Sequence, residues 1–206
     1  MKAPLLFGFL TAALVVAGCQ KNPLEVKRSP CPAVAVPNHL GTLTQFEPAD
    51  SREASARVLT AQIASLSGHC IEGEEGLNTD VRFTVTAQRR EAGAEQNIRL
   101  PLFVAMVQGG NTLVSKELTA VDLHFPAGKL TAEARGSAET MVHRSAASLS
   151  PETEAAITRK RRPDEEDALV DPLADPKVRA AVRAATFEVL VGFQLDDSNV
   201  IYNISH

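Results

Sequence analysis

Residues 186–196 read TFEVLVGFQLD, and their alternation sets the terms for the rest of the chain. Phe187, Val189, Val191, Phe193 and Leu195 share one phase, with Glu188 and Gln194 on the other. Successive side chains of a strand point to opposite faces, so a period of two marks a strand with one buried face. DVRFTVTAQ (80–88) repeats the pattern, setting Val81, Phe83, Val85 and Ala87 against Arg82, Thr84, Thr86 and Gln88. AVDLHFP (120–126) does so with Val121, Leu123 and Phe125 opposite Asp122 and His124. RLPLFVAMVQ (99–108) is apolar on both phases and suits a strand covered on both faces. Its Pro101 cannot donate to a ladder and argues for an edge or a bulge near the start. TAEARGSAETMV (131–142) carries Ala132, Ala134, Gly136 and Ala138 on its inner phase, small residues that suggest close approach between sheets.

Turn chemistry separates these runs. GGN at 109–111 lies between Val107 and Leu113 and reads as a hairpin turn. PAG at 126–128 and DDSN at 196–199 are the other clear turns. About eight strands joined this way predict an all-β, mainly antiparallel fold, an immunoglobulin-like β-sandwich over residues 31–206. Residues 145–174 break the pattern with charge and proline. Ser150 before Pro151, with Glu152 and Glu154 in the first turn, is a helix start, but a helix so short is marginal alone. The segment therefore reads as a charged, partly disordered insert. One short helix follows it over 176–185, where Asp175 caps and Pro176 takes the first helical position, and runs directly into the final strand.

The amino terminus has a different character. Met1-Lys2 is followed by an uncharged, largely apolar stretch from Ala3 to Gln20, the marks of a secretory signal. The apolar part is short for a bilayer span of about 20 residues, which weighs against an uncleaved anchor. Val16-Ala17-Gly18-Cys19 resembles the lipobox of bacterial lipoproteins. That resemblance implies a signal peptide over 1–18, cleavage between Gly18 and Cys19, a diacylglyceryl thioether on Cys19 and acylation of the new amino terminus. Residues 19–30 would then be a lipidated tether. Several long chains hold a protein on a bilayer where one does not, each buried methylene contributing about 0.8 kcal/mol. In that family an Asp after the cysteine favours retention in the inner membrane, so Gln20 points to the outer membrane, periplasmic side. Residues 174–203 and CPAVAVPNHLGTLTQF (31–46) also resemble a group of uncharacterised alphaproteobacterial envelope lipoproteins, which implies compartment and fold but no activity.

With Cys19 assigned to lipid, Cys31 and Cys70 remain, in a compartment where disulfides persist. Their bridge is the one intrachain pairing left, and closing that loop contributes about 4 kcal/mol in the chain-entropy account. A catalytic or metal-binding thiol pair is the alternative, but there is no C-x-x-C and His69 stands alone beside Cys70. Loss of Lys2 with the signal makes the mature chain one unit more acidic than the −4 of the full sequence. That balance gives no reason to expect nucleic acid. With no Trp and one Tyr, stacking platforms for bases or sugars are not expected either.

Chemistry-bearing motifs are absent from the sequence: no G-x-S-x-G, H-E-x-x-H, P-loop or dinucleotide fingerprint, and hence no expected cofactor. The histidines at 39, 69, 124, 143 and 206 are dispersed, so no metal site is expected. EGEEGLNTD (72–80) lacks the alternating oxygen ligands of a calcium loop and reads as a solvated turn. RKRRPDEED (159–167) sets four basic residues beside four acidic ones, blocks that screen one another and do not make a polyanion patch. The expected function is a non-catalytic structural or protein-interaction module, held to the membrane through Cys19, with an envelope protein as its possible partner. The competing expectations are a periplasmic hydrolase with a spatially assembled site, and a carrier of a small apolar ligand between the sheets.

Overall fold

The computed structural model describes residues 26, 28–162 and 164–205. The strands are β1 (Ala33–Ala35), β2 (Thr42–Phe46), β3 (Arg57–Glu72), β4 (Gly76–Arg89), β5 (Gln96–Gln108), β6 (Thr112–Phe125), β7 (Thr131–His143) and β8 (Phe187–Phe193). Helices α1 (Arg144–Ala147), α2 (Pro151–Thr158) and α3 (Pro176–Ala184) lie between β7 and β8, and α4 (Asp197–Ser205) follows β8. The strands form two four-stranded sheets, ordered β1-β8-β5-β6 and β2-β3-β4-β7. Every pairing is antiparallel except β1 on β8, a three-residue parallel ladder.

The apolar phases fill one core supplied by both sheets. Val81, Phe83 and Val85 of β4 join Leu100, Leu102 and Val104 of β5, Val121, Leu123 and Phe125 of β6, and Val189, Val191 and Phe193 of β8. A smaller cluster at one end gathers Leu77, Met106, Val142, Ala147 and Phe187. Each such side chain contributes about 1.5–3 kcal/mol on burial, and that gain drives the pairing of the sheets.

The expectation of an all-β, immunoglobulin-like sandwich with one short helix is corrected: the fold is mixed α/β, with four α-helices among the described residues. The segment 145–174, expected as a partly disordered insert, carries most of α1 and all of α2, together with a 3₁₀ turn at Pro172–Ala174. Ser150 caps α2 by accepting from the Thr153 N–H at 3.2 Å. What stabilises this short helix is tertiary packing, since Ile157 is only 1% exposed. Asp175 caps α3 through the Lys177 N–H at 2.8 Å, as its sequence predicts.

DDSN, read as a turn, opens α4 instead. The Asp196 carboxylate accepts from the Asn199 N–H at 2.7 Å, an N-cap bond. Asp, Ser and Asn favour turns and N-caps through the same side-chain-to-backbone bonds, so docking decides between them. Tyr202 stands edge-on to Phe46 at 5.1 Å between centroids. Asn203 donates to the His39 and Thr42 carbonyls at 2.7 and 2.8 Å. His39 sits at φ 65°, a backbone region seldom taken by non-glycine residues. Its ring and its carbonyl both bond Asn203, so α4 holds that conformation in place.

Pro101 is on neither an edge nor a bulge: β5 is central, between β8 and β6. The Pro101 carbonyl accepts from the Gln194 N–H, just past the last residue of β8, so the missing donor faces the side where β8 has ended. Gly136, read as allowing a close sheet approach, instead accommodates a ring from its own sheet. It pairs in register with Phe83, and a Cβ at 136 would run into that ring. Gly192 and Phe103 repeat the arrangement in the other sheet, where an added Cβ would come within 2.8 Å of the ring.

Two expected outcomes follow from this packing. Gly136→Ala must displace a fully packed Phe83, and urea denaturation should show a loss of about 1–3 kcal/mol with an unchanged denaturant slope. Bonds from the Asn199 N–H and then the Ser198 hydroxyl hold the Asp196 carboxyl below the usual carboxylate range. A folded value below the unfolded one stabilises fully above pH ~4 and is lost as pH falls through the folded value. Tyr202, the only tyrosine in a chain without Trp, should report the loosening of α4 as an acid step in near-ultraviolet dichroism. Asp196→Asn, which keeps a capping oxygen, should remove that step.

Candidate functional site

The expected lipidation site Cys19, the Gly18–Cys19 cleavage position and the residues of the signal peptide lie outside the described residues. The first described residue, Val26, is already docked: its N–H donates to the Ile157 carbonyl at 3.2 Å, in the last turn of α2. Arg28 then donates from Nη2 to the Ala147 carbonyl at 2.6 Å and also to the Ala185 carbonyl. Ala147 is the last residue of α1 and Ala185 the C-cap of α3. The final carbonyls of a helix lack intrahelical partners and carry partial negative charge, so a guanidinium there satisfies both the bonds and the field. Burial pulls Arg28 below the usual guanidinium value, with Glu154 opposing it.

Three residues further on, Cys31 is bonded to Cys70 with 6.0 Å between the Cα atoms. Cys70 belongs to β3 and packs against the smaller core cluster. The bridge therefore ties the start of the β1–β8–β5–β6 sheet to the other sheet. Next to it Val34 of β1 lies over Gly68 of β3, where a Cβ would collide with the valine methyl. The pairing expected from the sequence is the one present, and neither sulfur is a free thiol.

The charged motifs are consumed by structure. In 72–80 the acidic turn is closed by Gly73 N–H to the Gly76 carbonyl at 2.8 Å, while Asn78 and Asp80 belong to β4. Arg144 donates to the Gly73 carbonyl at 2.6 Å and pins that turn to α1. In 159–167 Arg159 pairs with Glu165 at 2.9 Å and with Asp167, and Arg162 pairs with Asp164 at 3.4 Å. The Arg161 side chain is only 7% exposed, with Asp167 at 3.8 Å. The basic and acidic blocks thus neutralise one another by folding together. His124, on the exposed phase of β6, meets the Asn97 amide oxygen at 2.8 Å. Among the described residues no three His, Cys, Asp or Glu side chains are grouped to hold a metal ion.

Two recesses open on the outer face of β3, β4 and β7. A recess of about 600 Å³ is lined by Thr60, Gln62, Thr86, Gln88, Thr131 and Glu133. These side chains form two cross-strand rows, Thr60–Gln88–Thr131 and Gln62–Thr86–Glu133. Further along, His69–Asp80–Glu139 and Ile71–Asn78–Met141 make two more rows around a space of about 350 Å³. Sequence reasoning registered the outer phase of β4 but not that three strands align it into a broad hydroxyl- and amide-rich surface. No protein-family model, curated protein or solved structure matches the chain.

The bridge makes a direct prediction. Cys31→Ser or Cys70→Ser should lower stability by about 2–5 kcal/mol in denaturant titration. The double variant should lose no more than the worse single one, because both changes remove the same cross-link.

Proposed function

We propose that this protein is a lipid-anchored envelope protein, held at the outer membrane through acylated Cys19, and that its domain acts on the periplasmic side as a non-catalytic structural or protein-interaction module. The observation that carries the reading is the filled interior. Phe125, Phe193, Leu100, Leu102 and Leu123 occupy the space between the sheets and are withdrawn from water. This packing argues against a small apolar ligand carried between the sheets, and it puts binding on the exterior. The β3–β4–β7 face, with its rows of Thr, Gln and Ser flanked by exposed Ile71 and Met141, suits a wide contact with another envelope protein.

In intact cells, a photo-crosslinking residue at Thr86 should capture a discrete envelope protein, while the same residue at Arg99, exposed on the other sheet, should not. Equal capture at both positions, or none at Thr86, would remove the interaction reading. Cys19→Ala should abolish incorporation of a fatty-acid label and leave an unprocessed precursor. Normal processing of that variant would remove the anchor.

A further inference from the structure

The two ends of the long strands differ, and the amino-terminal segment enters at only one of them. At the end bearing Cys70, Leu77 and Val142, Ala147 of α1 packs into the smaller core cluster, and α2 and α3 gather beside it as a helical cap. Arg28 donates there to the Ala147 and Ala185 carbonyls, and Gln108 of β5 to the Ala184 carbonyl. At the opposite end the loops around 90–95 and 126–130 are gathered by Arg89, which donates to the carbonyls of Lys129, Ala94 and Gly93 at 2.7, 2.9 and 3.1 Å. Between these ends β3 extends over 16 residues, a span of about 50 Å at roughly 3.3 Å per residue.

Val26 is bonded to α2 in the cap. Between Cys19 and Val26 the chain advances seven residues, which reach at most about 25 Å when fully extended. An acylated Cys19 therefore keeps the cap beside the bilayer, and the Arg89 end can stand well clear of it. The cap also bears the most exposed large apolar side chain described, Leu169 at 92%, and its chain neighbour Val170 is 52% exposed. Both sit at the end of a turn closed by the Ala168 N–H to the Glu165 carbonyl and the Val170 N–H to the Asp167 carbonyl. Glu165 and Asp167 are paired to Arg159, which directly follows the last turn of α2 where Val26 docks. Apolar tip and tether thus leave from the same helix end. Over 144–185 the sequence holds eight basic and eight acidic residues, so net charge gives the cap no preference for an anionic surface.

We propose that the helical cap is the bilayer-facing surface of this protein, with Leu169 and Val170 seated at the headgroup boundary of the membrane that holds Cys19. The assignment rests on the anchor reading above. The acyl chains supply retention, and the apolar tip supplies orientation, fixing which end of the domain points away from the lipid.

The test uses the full acylated protein reconstituted into phosphatidylcholine vesicles, with and without phosphatidylglycerol, and an environment-sensitive label at Ala168→Cys or at Glu91→Cys near the Arg89 end. Lipid-borne nitroxides at headgroup depth should quench the label at 168 several-fold more than that at 91, equally in both vesicle types. Adding Leu169→Asp and Val170→Asp should remove the difference. Protein that floats with the vesicles yet leaves position 168 unquenched, or quenched no more than 91, overturns the proposal and leaves the anchor standing. Quenching only with phosphatidylglycerol overturns the apolar basis. Protein that fails to float, with Cys19 unmodified by mass, overturns the anchor and the proposal with it.

Discussion

Removing the inner phases of β4, β5, β6 and β8 from water together is the constraint on which the remaining structure depends. Neither sheet has a dry side without the other, because the shared core takes its phenylalanines from both: Phe83 from one, Phe125 and Phe193 from the other. Once the sheets are apposed, the smaller cluster at one end exposes an apolar rim, and Ala147 of α1 packs there alongside Phe187. The cap is thus a consequence of the strand pattern ending unevenly. Its short helices would be marginal in isolation and are held here by tertiary contacts, Ala147 of α1 within the cluster and Ile157 of α2 withdrawn from water.

The legible parts of the fold are those where local pattern and tertiary environment agree. β4, the carboxyl half of β6, and β8 show their buried phases in the alternation of Val, Leu and Phe, and α2 and α3 begin where Ser150 and Asp175 cap them. β3 carries no readable phase because it contains a bulge. Leu59, Ala61 and Ile63 point inward, the register shifts past Ala64, and Leu66, Gly68 and Cys70 continue on the opposite parity. A single inserted residue cancels a period-two signal over the whole strand. α4 was hidden by its own cap, since the residues that begin a helix are also those that make a turn. At the candidate site, Cys31 and Cys70 were legible because few partners existed. The role of Arg28 was not, because a single arginine in a polar segment has no periodicity and acquires meaning only when two helix ends converge on it.

Four strands end a sheet, and each is blunted differently. β1 is three residues long and β2 five, with a register shift at its end. β6 is distorted opposite Met106 and Val107, and its Lys116 reaches over the Phe103 ring at 4.7 Å. β7 turns Glu133, Arg135 and Glu139 outward. Short, bulged or charged edges discourage strand addition from another copy. Broad contact is therefore directed to the sheet face, where side chains rather than unpaired backbone groups do the recognising.

The covalent bridge between the two sheets also decides how the domain carries mechanical load. Tension entering from the amino-terminal side meets the Val26 and Arg28 bonds and then Cys31, before it reaches β1. There the sulfur linkage diverts it across to Cys70, so the three-rung parallel ladder of β1 on β8 is spared. The force continues into β3, whose ladder with β4 has thirteen aligned pairs. A pull toward the capped end runs along that strand, loading its rungs in shear as a group instead of unzipping them singly. The shortest pairing in the fold is thus wired out of the path of stress, and a ladder of thirteen pairs is placed in it.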